Sequence, residues 1–246
     1  MERYNVNGFD IWEFEEAGST NTLATTLPTG ELQDKSVVLT YRQTQGRGQL
    51  GNKWESAPEK NISMTVVFRP RRVEAGKQFV VSMVVALGCR DYLSRWVEGC
   101  TVKWPNDVYV GEKKIVGILI EHSIAGAYIG QSLCGIGLNV NQQCFLSDAP
   151  NPVSMFQLLG RELPLNEVLA DLLECINRRY QQIQNYPLLE SDFMQSLYRR
   201  NGVYDWKDEN GMFKASIFGL DEYGRLLLKD VDGVERVYGF KEVKFL

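Results

Sequence analysis

Histidine is almost missing from this chain: among 246 residues His122 stands alone. A single imidazole removes most histidine-based catalysis and most histidine metal sites, and leaves His122 as a structural or solvated residue. Cysteine is sparse as well. Cys89, Cys100, Cys134, Cys144 and Cys175 form an odd, scattered set with no C-x-x-C pair. That usage fits reduced thiols in a cytoplasmic protein better than a disulfide frame or a zinc site. The longest strongly apolar stretch, residues 79–87, is too short to span a bilayer. No charged-then-apolar leader follows Met1, so neither export nor a membrane partner is expected. Net charge is −4 and the pI is near 5.3, which argues against nucleic acid held by overall electrostatics, though not against a local basic site. Familiar catalytic signatures also fail. Gly130-Gln131-Ser132-Leu133-Cys134 misses the G-x-S-x-G elbow at its last position, and no G-x-x-x-x-G-K-S/T loop exists.

What is present reads as an ordinary globular chain, 44% hydrophobic and 24% charged, with room for one large core and a small satellite unit. Phe9-Asp10-Ile11-Trp12-Glu13-Phe14 alternates apolar with acidic residues, as a half-buried strand does. Ser19-Thr20-Asn21 offers caps for a short helix at Leu23-Ala24. Residues 37–41 and 61–68 read as strands, and residues 75–96 as a buried helix. Residues 100–104 make a strand stopped by Pro105. Residues 107–110 and 115–120 flank Gly111-Glu112-Lys113-Lys114 as a hairpin, and residues 128–140 add a further strand. The period then changes. Leu165, Val168, Leu169, Leu172, Leu173, Ile176 and Tyr180 keep the 3.6-residue spacing of an amphipathic helix. Pro187 is expected to interrupt, with helix resuming over residues 188–200. Beyond Asn201-Gly202, short β-rich runs broken by Asn210-Gly211, Tyr223-Gly224 and Asp232-Gly233 mark a small all-β module, with a boundary near residue 199.

Gly46-Arg47-Gly48-Gln49-Leu50-Gly51 matches the dinucleotide fingerprint G-x-G-x-x-G, which needs a strand before it and a helix after it. No helix follows, because Asn52 to Pro58 reads as loop and a strand comes next. The glycines therefore sit between strands, beside Arg47 and Lys53, either as a loose hairpin or as a phosphate grip. Lys103-Trp104-Pro105-Asn106-Asp107 is either a capped turn over a core tryptophan or part of a site. Lys114 and Gly117, spaced K-x-x-G, are either a hairpin edge or a lysine beside backbone thinned for ligand approach. Gly135-x-Gly137-x-Asn139 marks either a bulge or a ligand floor. Glycines, one arginine and a few lysines stabilise developing charge rather than supply a nucleophile.

Taken in order, Ser19-Thr20-Asn21, Gln43-Thr44-Gln45-Gly46-Arg47-Gly48, Lys103-Trp104-Pro105-Asn106-Asp107, Lys114-x-x-Gly117 and Gly135-x-Gly137-x-Asn139 resemble the biotin protein ligases. Each motif is weak by itself; the ordered series is specific and spans nearly the whole chain. Phe218 to Leu227 is similar to that family's C-terminal SH3-like barrel. The resemblance implies an α+β fold: a mixed, mainly antiparallel sheet with packed helices, of the class II aminoacyl-tRNA synthetase/biotin ligase kind, plus a small C-terminal SH3-like β-barrel. It divides the chain into a catalytic domain at 1–199 and the barrel at 200–246.

The same resemblance implies that biotin and ATP form biotinyl-5′-adenylate and pyrophosphate. A lysine of a biotin carboxyl carrier protein, from acetyl-CoA carboxylase or a related carboxylase, then takes the biotin. Arg47, Lys114 and Asp107 are the catalytic candidates this implies. Ser19, Thr20, Asn21 and Gln43, with Gly46, Arg47, Gly48 and Gln49, would surround biotin, whose buried ureido ring needs hydrogen bonds to replace lost water. Arg47 and Lys114 would face the carboxylate and the α-phosphate, and Gly117 and Gly135 would let ligand pack on backbone. Trp54, Asn106 and Asn139 would join them around the adenylate, Trp54 by stacking. Asp107 would accept a proton from the carrier lysine or orient it. No protein metal site is expected; Mg2+ would ride on the phosphates. Nucleic acid is not an expected partner, and a homodimer through sheet edges stays open.

Two departures stand out. Many members carry an arginine where this chain has Gln49, which puts the loop's hold on a reactive adenylate in question. Bifunctional members have a DNA-binding winged helix ahead of the catalytic domain. Here the first catalytic strand begins by about Phe9, which points to the monofunctional type. Two alternatives stand beside this reading. Lipoate–protein ligase shares the fold and the acyl-adenylate chemistry, but normally shows R-R-x-S-G-G-G followed by a histidine. The other is a non-enzymatic, biotin-sensing regulator.

Overall fold

The computed structural model describes residues 1–28, 30–147 and 149–246. In chain order its first strands are β1 (Glu2–Val6), β2 (Phe9–Glu13), β3 (Ser36–Thr40), β4 (Gly46–Arg47), β5 (Lys53–Trp54) and β6 (Ile62–Phe68). They are followed by β7 (Cys100–Lys103), β8 (Asp107–Val110), β9 (Lys113–Ala125) and β10 (Tyr128–Leu138). The last strands are β11 (Tyr204–Asp208), β12 (Gly211–Leu220), β13 (Leu226–Asp230), β14 (Glu235–Tyr238) and β15 (Lys244–Phe245). The helices are α1 (Thr20–Thr26), α2 (Phe79–Leu93), α3 (Met155–Leu159), α4 (Leu165–Gln181) and α5 (Tyr186–Ser196). Eight strands form one sheet, ordered β1-β2-β3-β6-β10-β9-β8-β7 and antiparallel except for the parallel pair β2–β3. The α+β architecture is the expected one.

Alternation along the strands decides what each face of this sheet meets. On one face, Val37 and Leu39 of β3, Ile62, Met64, Val66 and Phe68 of β6, and Cys134, Ile136 and Leu138 of β10 share a core with α2 and α4. α2 is buried on nearly every side, as its continuous apolar run requires. Gly88 lets α4 come close, since a Cβ there would lie 2.7 Å from Ile176 Cα. α4 shows the expected stripe, with Val168, Leu169, Leu172, Leu173 and Ile176 buried. On the opposite face Val38, Val67 and Leu133 pack with Trp12, Ala24 and Leu32 beneath α1.

Some boundaries differ from the sequence reading. Pro187 does not interrupt a helix; it lies in the first turn of α5, where its missing N–H is no loss. Asn185 caps that turn by accepting from the Leu188 N–H. The helix ends at Ser196 rather than Arg200, and Arg199 is already left-handed at φ 57°. α2 starts at Phe79 because Ala75–Lys77 forms a separate 3-10 turn. The hairpin turn tightens to Gly111-Glu112, since Lys113 and Lys114 already belong to β9.

The last five strands form an antiparallel sheet, ordered β14-β13-β12-β11-β15. Aromatic packing joins it to the rest of the chain. Trp104 donates its Nε1–H to Gly224 O at 3.0 Å and meets Phe240 edge-on, with centroids 5.3 Å apart.

Gly88→Ala is expected to destabilise the chain by about 1–3 kcal/mol, despite alanine's better helix propensity, because the clash is with α4 backbone that yields poorly. Urea unfolding reads this directly. A midpoint equal to that of the parent chain would contradict the packing of α2 on α4.

Candidate functional site

The same alternation builds a floor. Register sets Thr65 opposite Gly135, Gly135 opposite Leu119, Gly137 opposite Gly117, and Leu133 opposite Glu121. The face these residues share is therefore low at its glycines and flanked by Thr65 and Glu121. Trp54 occupies part of the low ground: a Cβ on Gly117 would fall 2.6 Å from Trp54 Cζ3, and one on Gly137 would clash with the indole Cε2 and Nε1. Asn21 occupies another part, its Cγ 3.0 Å from where a Gly135 Cβ would stand. This differs from the expectation that Gly117 and Gly135 receive ligand on bare backbone. The chain's own indole and amide occupy the space over both glycines.

The glycine segment is a closed hairpin, in line with its strand–loop–strand reading. β4 and β5 pair Gly46 with Trp54 and Arg47 with Lys53, joined by a 3-10 turn at Gln49–Gly51. Gly46 has no space for a side chain against Trp54 O and Gln43 Nε2. Arg47 reaches Glu121, Nη2 to Oε2 3.4 Å, with both side chains about half exposed. An open cleft of about 1080 Å³ is lined by Ser19, Gly46, Arg47, Gly48, Gln49, Trp54 and Glu121, among others. Ser19 opens α1 without a side-chain capping bond, which leaves its hydroxyl available to the cleft.

Thr20, Asn21 and Gln43 lie outside the cleft lining, in a bonded cluster beside it. The Thr20 N–H donates to Gln43 Oε1 at 3.0 Å. The Thr65 hydroxyl donates to Asn21 Oδ1 at 2.6 Å and lies 2.8 Å from the Thr20 hydroxyl. Asn21 Nδ2 donates to Leu119 O at 3.2 Å and to Glu121 Oε2 at 2.8 Å. These partners fix the orientation of the buried amide, its nitrogen towards a carboxylate and its oxygen towards a hydroxyl. Thr65 and Glu121 are residues the sequence reading missed. Glu121 carried a signal, because Gly117-x-x-x-Glu121 returns to one sheet face; Thr65 carried none within its apolar strand.

A second charged group adjoins the indole from outside the cleft lining. Lys114 Nζ lies 5.7 Å from the Trp54 ring centroid and donates to Asp107 Oδ2 at 2.6 Å. Asp107 is thus paired with Lys114 rather than standing free as a base. Lys103, read in the sequence as part of its motif but given no role of its own, faces Asp107 across β7 and β8. The rings of Phe245, Tyr109 and Tyr198 box it at 4.9, 5.0 and 5.9 Å. Burial pushes the Lys103 ammonium below the usual lysine range, with Asp107 opposing. Asn106 and Asn139 are buried and do not line the cleft. Asn139 Nδ2 donates to Val153 O at 3.1 Å, while its Oδ1 is buried without a partner. His122 lies outside the cleft lining, bonded to Ser132 Oγ at 2.8 Å, and burial lowers its pKa.

Gly137→Ala should push the Trp54 ring off its floor, because the added methyl and the indole cannot share that space. Tryptophan emission should shift to the red, and a Trp54→Phe background should abolish the difference. Matching spectra for Gly137→Ala and the parent chain would contradict the contact.

Comparison with known proteins follows the same lines. The profile of the Biotin/lipoate A/B protein ligase family matches residues 14–139, about half of the chain. The bifunctional ligase/repressor BirA of Bacillus subtilis (strain 168) is 26% identical over 95% of this chain and 73% of its own length. The biotin--[acetyl-CoA-carboxylase] ligase of Paracoccus denitrificans is 29% identical over 87% of this chain and 92% of its own. The solved biotin protein ligase from Aquifex aeolicus, in complex with biotin and ATP, shares the fold. Its TM-score is 0.79 at 23% identity, covering 96% of this chain and 99% of that one. With its motifs in order, its sheet and its cleft in place, and residues 14–139 matched, the chain belongs to the biotin/lipoate A/B protein ligase family.

Proposed function

We propose that this chain activates biotin with ATP to biotinyl-5′-adenylate and transfers the biotin to one lysine of a biotin carboxyl carrier protein. The observation that carries this reading is that Arg47 and Trp54 line one cleft while the Lys114 ammonium lies 5.7 Å from the Trp54 ring. A carboxylic acid lying along Trp54 would bring its carboxylate within reach of both cations, where the α-phosphate of ATP must also come. Negative charge concentrates there as a carboxylate oxygen bonds to the α-phosphorus and pyrophosphate leaves, and fixed cations stabilise it. The ureido end suits the polar cluster of α1, with a free hydroxyl on Ser19 and a fixed amide on Asn21. Asn139 Oδ1 offers a buried acceptor to a donor on the purine.

In the second step the carrier amine attacks the acyl carbon and AMP leaves. The amine proton passes to Asp107 once Lys114 has turned to the phosphate. Among the described residues no group of three or more His, Cys, Asp or Glu could hold a metal, so Mg2+ enters this reading with the nucleotide, as MgATP. Residues 1–199 carry the chemistry and 200–246 form the C-terminal unit. The carrier belongs to acetyl-CoA carboxylase or a related carboxylase. No helix among the described residues is long and apolar enough to cross a membrane, and the free cysteines suit a cytoplasmic enzyme.

Biotin-dependent ATP–pyrophosphate exchange tests the reading. Lys114→Ala should lower it about a hundredfold, as loss of one charge-stabilising contact costs on the order of 3 kcal/mol. Exchange with lipoate in place of biotin would replace the substrate. Near-normal exchange in a folded Lys114→Ala variant would sink the role given to that lysine.

A further inference from the structure

The C-terminal sheet reaches back to the glycine hairpin. The Lys241 ammonium donates to the backbone oxygen of Gln49 at 2.8 Å, across a separation of 192 residues. Lys241 holds a left-handed φ of 66°, which residues with side chains seldom keep unless their neighbours enforce it. Here the neighbours do. Glu242 accepts from the Gly239 N–H at 2.6 Å, and the Phe240 ring packs edge-on to Trp104. Trp104 is 4% exposed and stands next to Lys103, so the turn bearing Lys241 is anchored beside the strand end that faces Asp107. The tip it grips, Gln49–Gly51, is cheap to open, because Gly48 and Gly51 give no side-chain anchoring, whereas β5 is held by Trp54. Gln49 is neutral, and Lys241 brings a cation to that end of the hairpin.

We propose that Lys241 is a positioning residue that latches the glycine hairpin over bound biotinyl-adenylate, acting through Gln49 O and touching no reacting atom. The inference rests on the ligase reading above. Opening the hairpin must break this bond, so losing it speeds escape of the adenylate while leaving its formation intact. The bond is exposed, which keeps the expected effect modest.

Lys241→Met keeps the aliphatic stem and removes the charge, whereas Lys241→Arg keeps a donor. The full chain is given biotin and MgATP without carrier. Lys241→Met should then release biotinyl-adenylate about three- to tenfold faster, the range of one exposed hydrogen bond, with adenylate formation within about twofold of the parent. Lys241→Arg should restore slow release. Hydrogen exchange of the 48–52 amides, measured without biotin or ATP, should quicken in Lys241→Met. An unchanged release rate, unchanged exchange, or equal leakage from the arginine variant would overturn the latch. A parent chain that makes no adenylate condemns the ligase reading instead, and exchange alone then decides the latch.

Discussion

An indole can settle against a β-sheet only where side chains are missing, and the Trp54 ring uses the gap left by Gly117 and Gly137, neighbours across β9 and β10. Because Trp54 belongs to β5, this contact sets the position of the whole hairpin. Its backbone oxygen closes over Gly46, so β4 and Arg47 take their place from it. Burying part of an aromatic ring at about 25 cal/mol per Å² contributes on the order of 2–3 kcal/mol. The exposed Arg47–Glu121 pair contributes about 0–1 kcal/mol, so the indole and not the ion pair decides where the hairpin lies. The indole N–H is buried without an acceptor, which offsets part of that gain.

Much of the fold was legible because it is written in local periods. The stripe from Leu165 onward announces α4, and the polar stretch after Gly51 rules out the helix that a dinucleotide loop requires. Pro187 went wrong because a proline reads alike at a helix break and at a helix start; the Asn185 cap tells them apart. At the site, Gly117 and Gly135 were legible as places of close approach. Sequence does not say whose atoms approach, and the answer is Trp54 and Asn21. Thr65 and Lys241 escaped for a related reason: their partners, Asn21 and Gln49, lie far away along the chain.

The C-terminal strands contribute to the site as well as to the core. Phe245 of β15 supplies one wall of the aromatic box around Lys103, and Tyr198 just after α5 supplies another. Trp104, next to Lys103, carries the hydrogen bond to Gly224 that ties the two sheets together. The charged group at Lys103, Asp107 and Lys114 is therefore built from the middle of the chain and walled by its C-terminal part. Its desolvated lysine is a direct result, since the rings that box Lys103 also exclude water from it.

The most direct test of the account is a crystal structure with biotin and a non-hydrolysable ATP analogue bound together. The account expects the ureido ring beside Ser19 and Asn21, the acyl chain along Trp54, and the α-phosphate between Arg47 and Lys114. Lys114 should have left Asp107 for the phosphate. Ligands bound away from Trp54, with Lys114 still paired to Asp107, would contradict it.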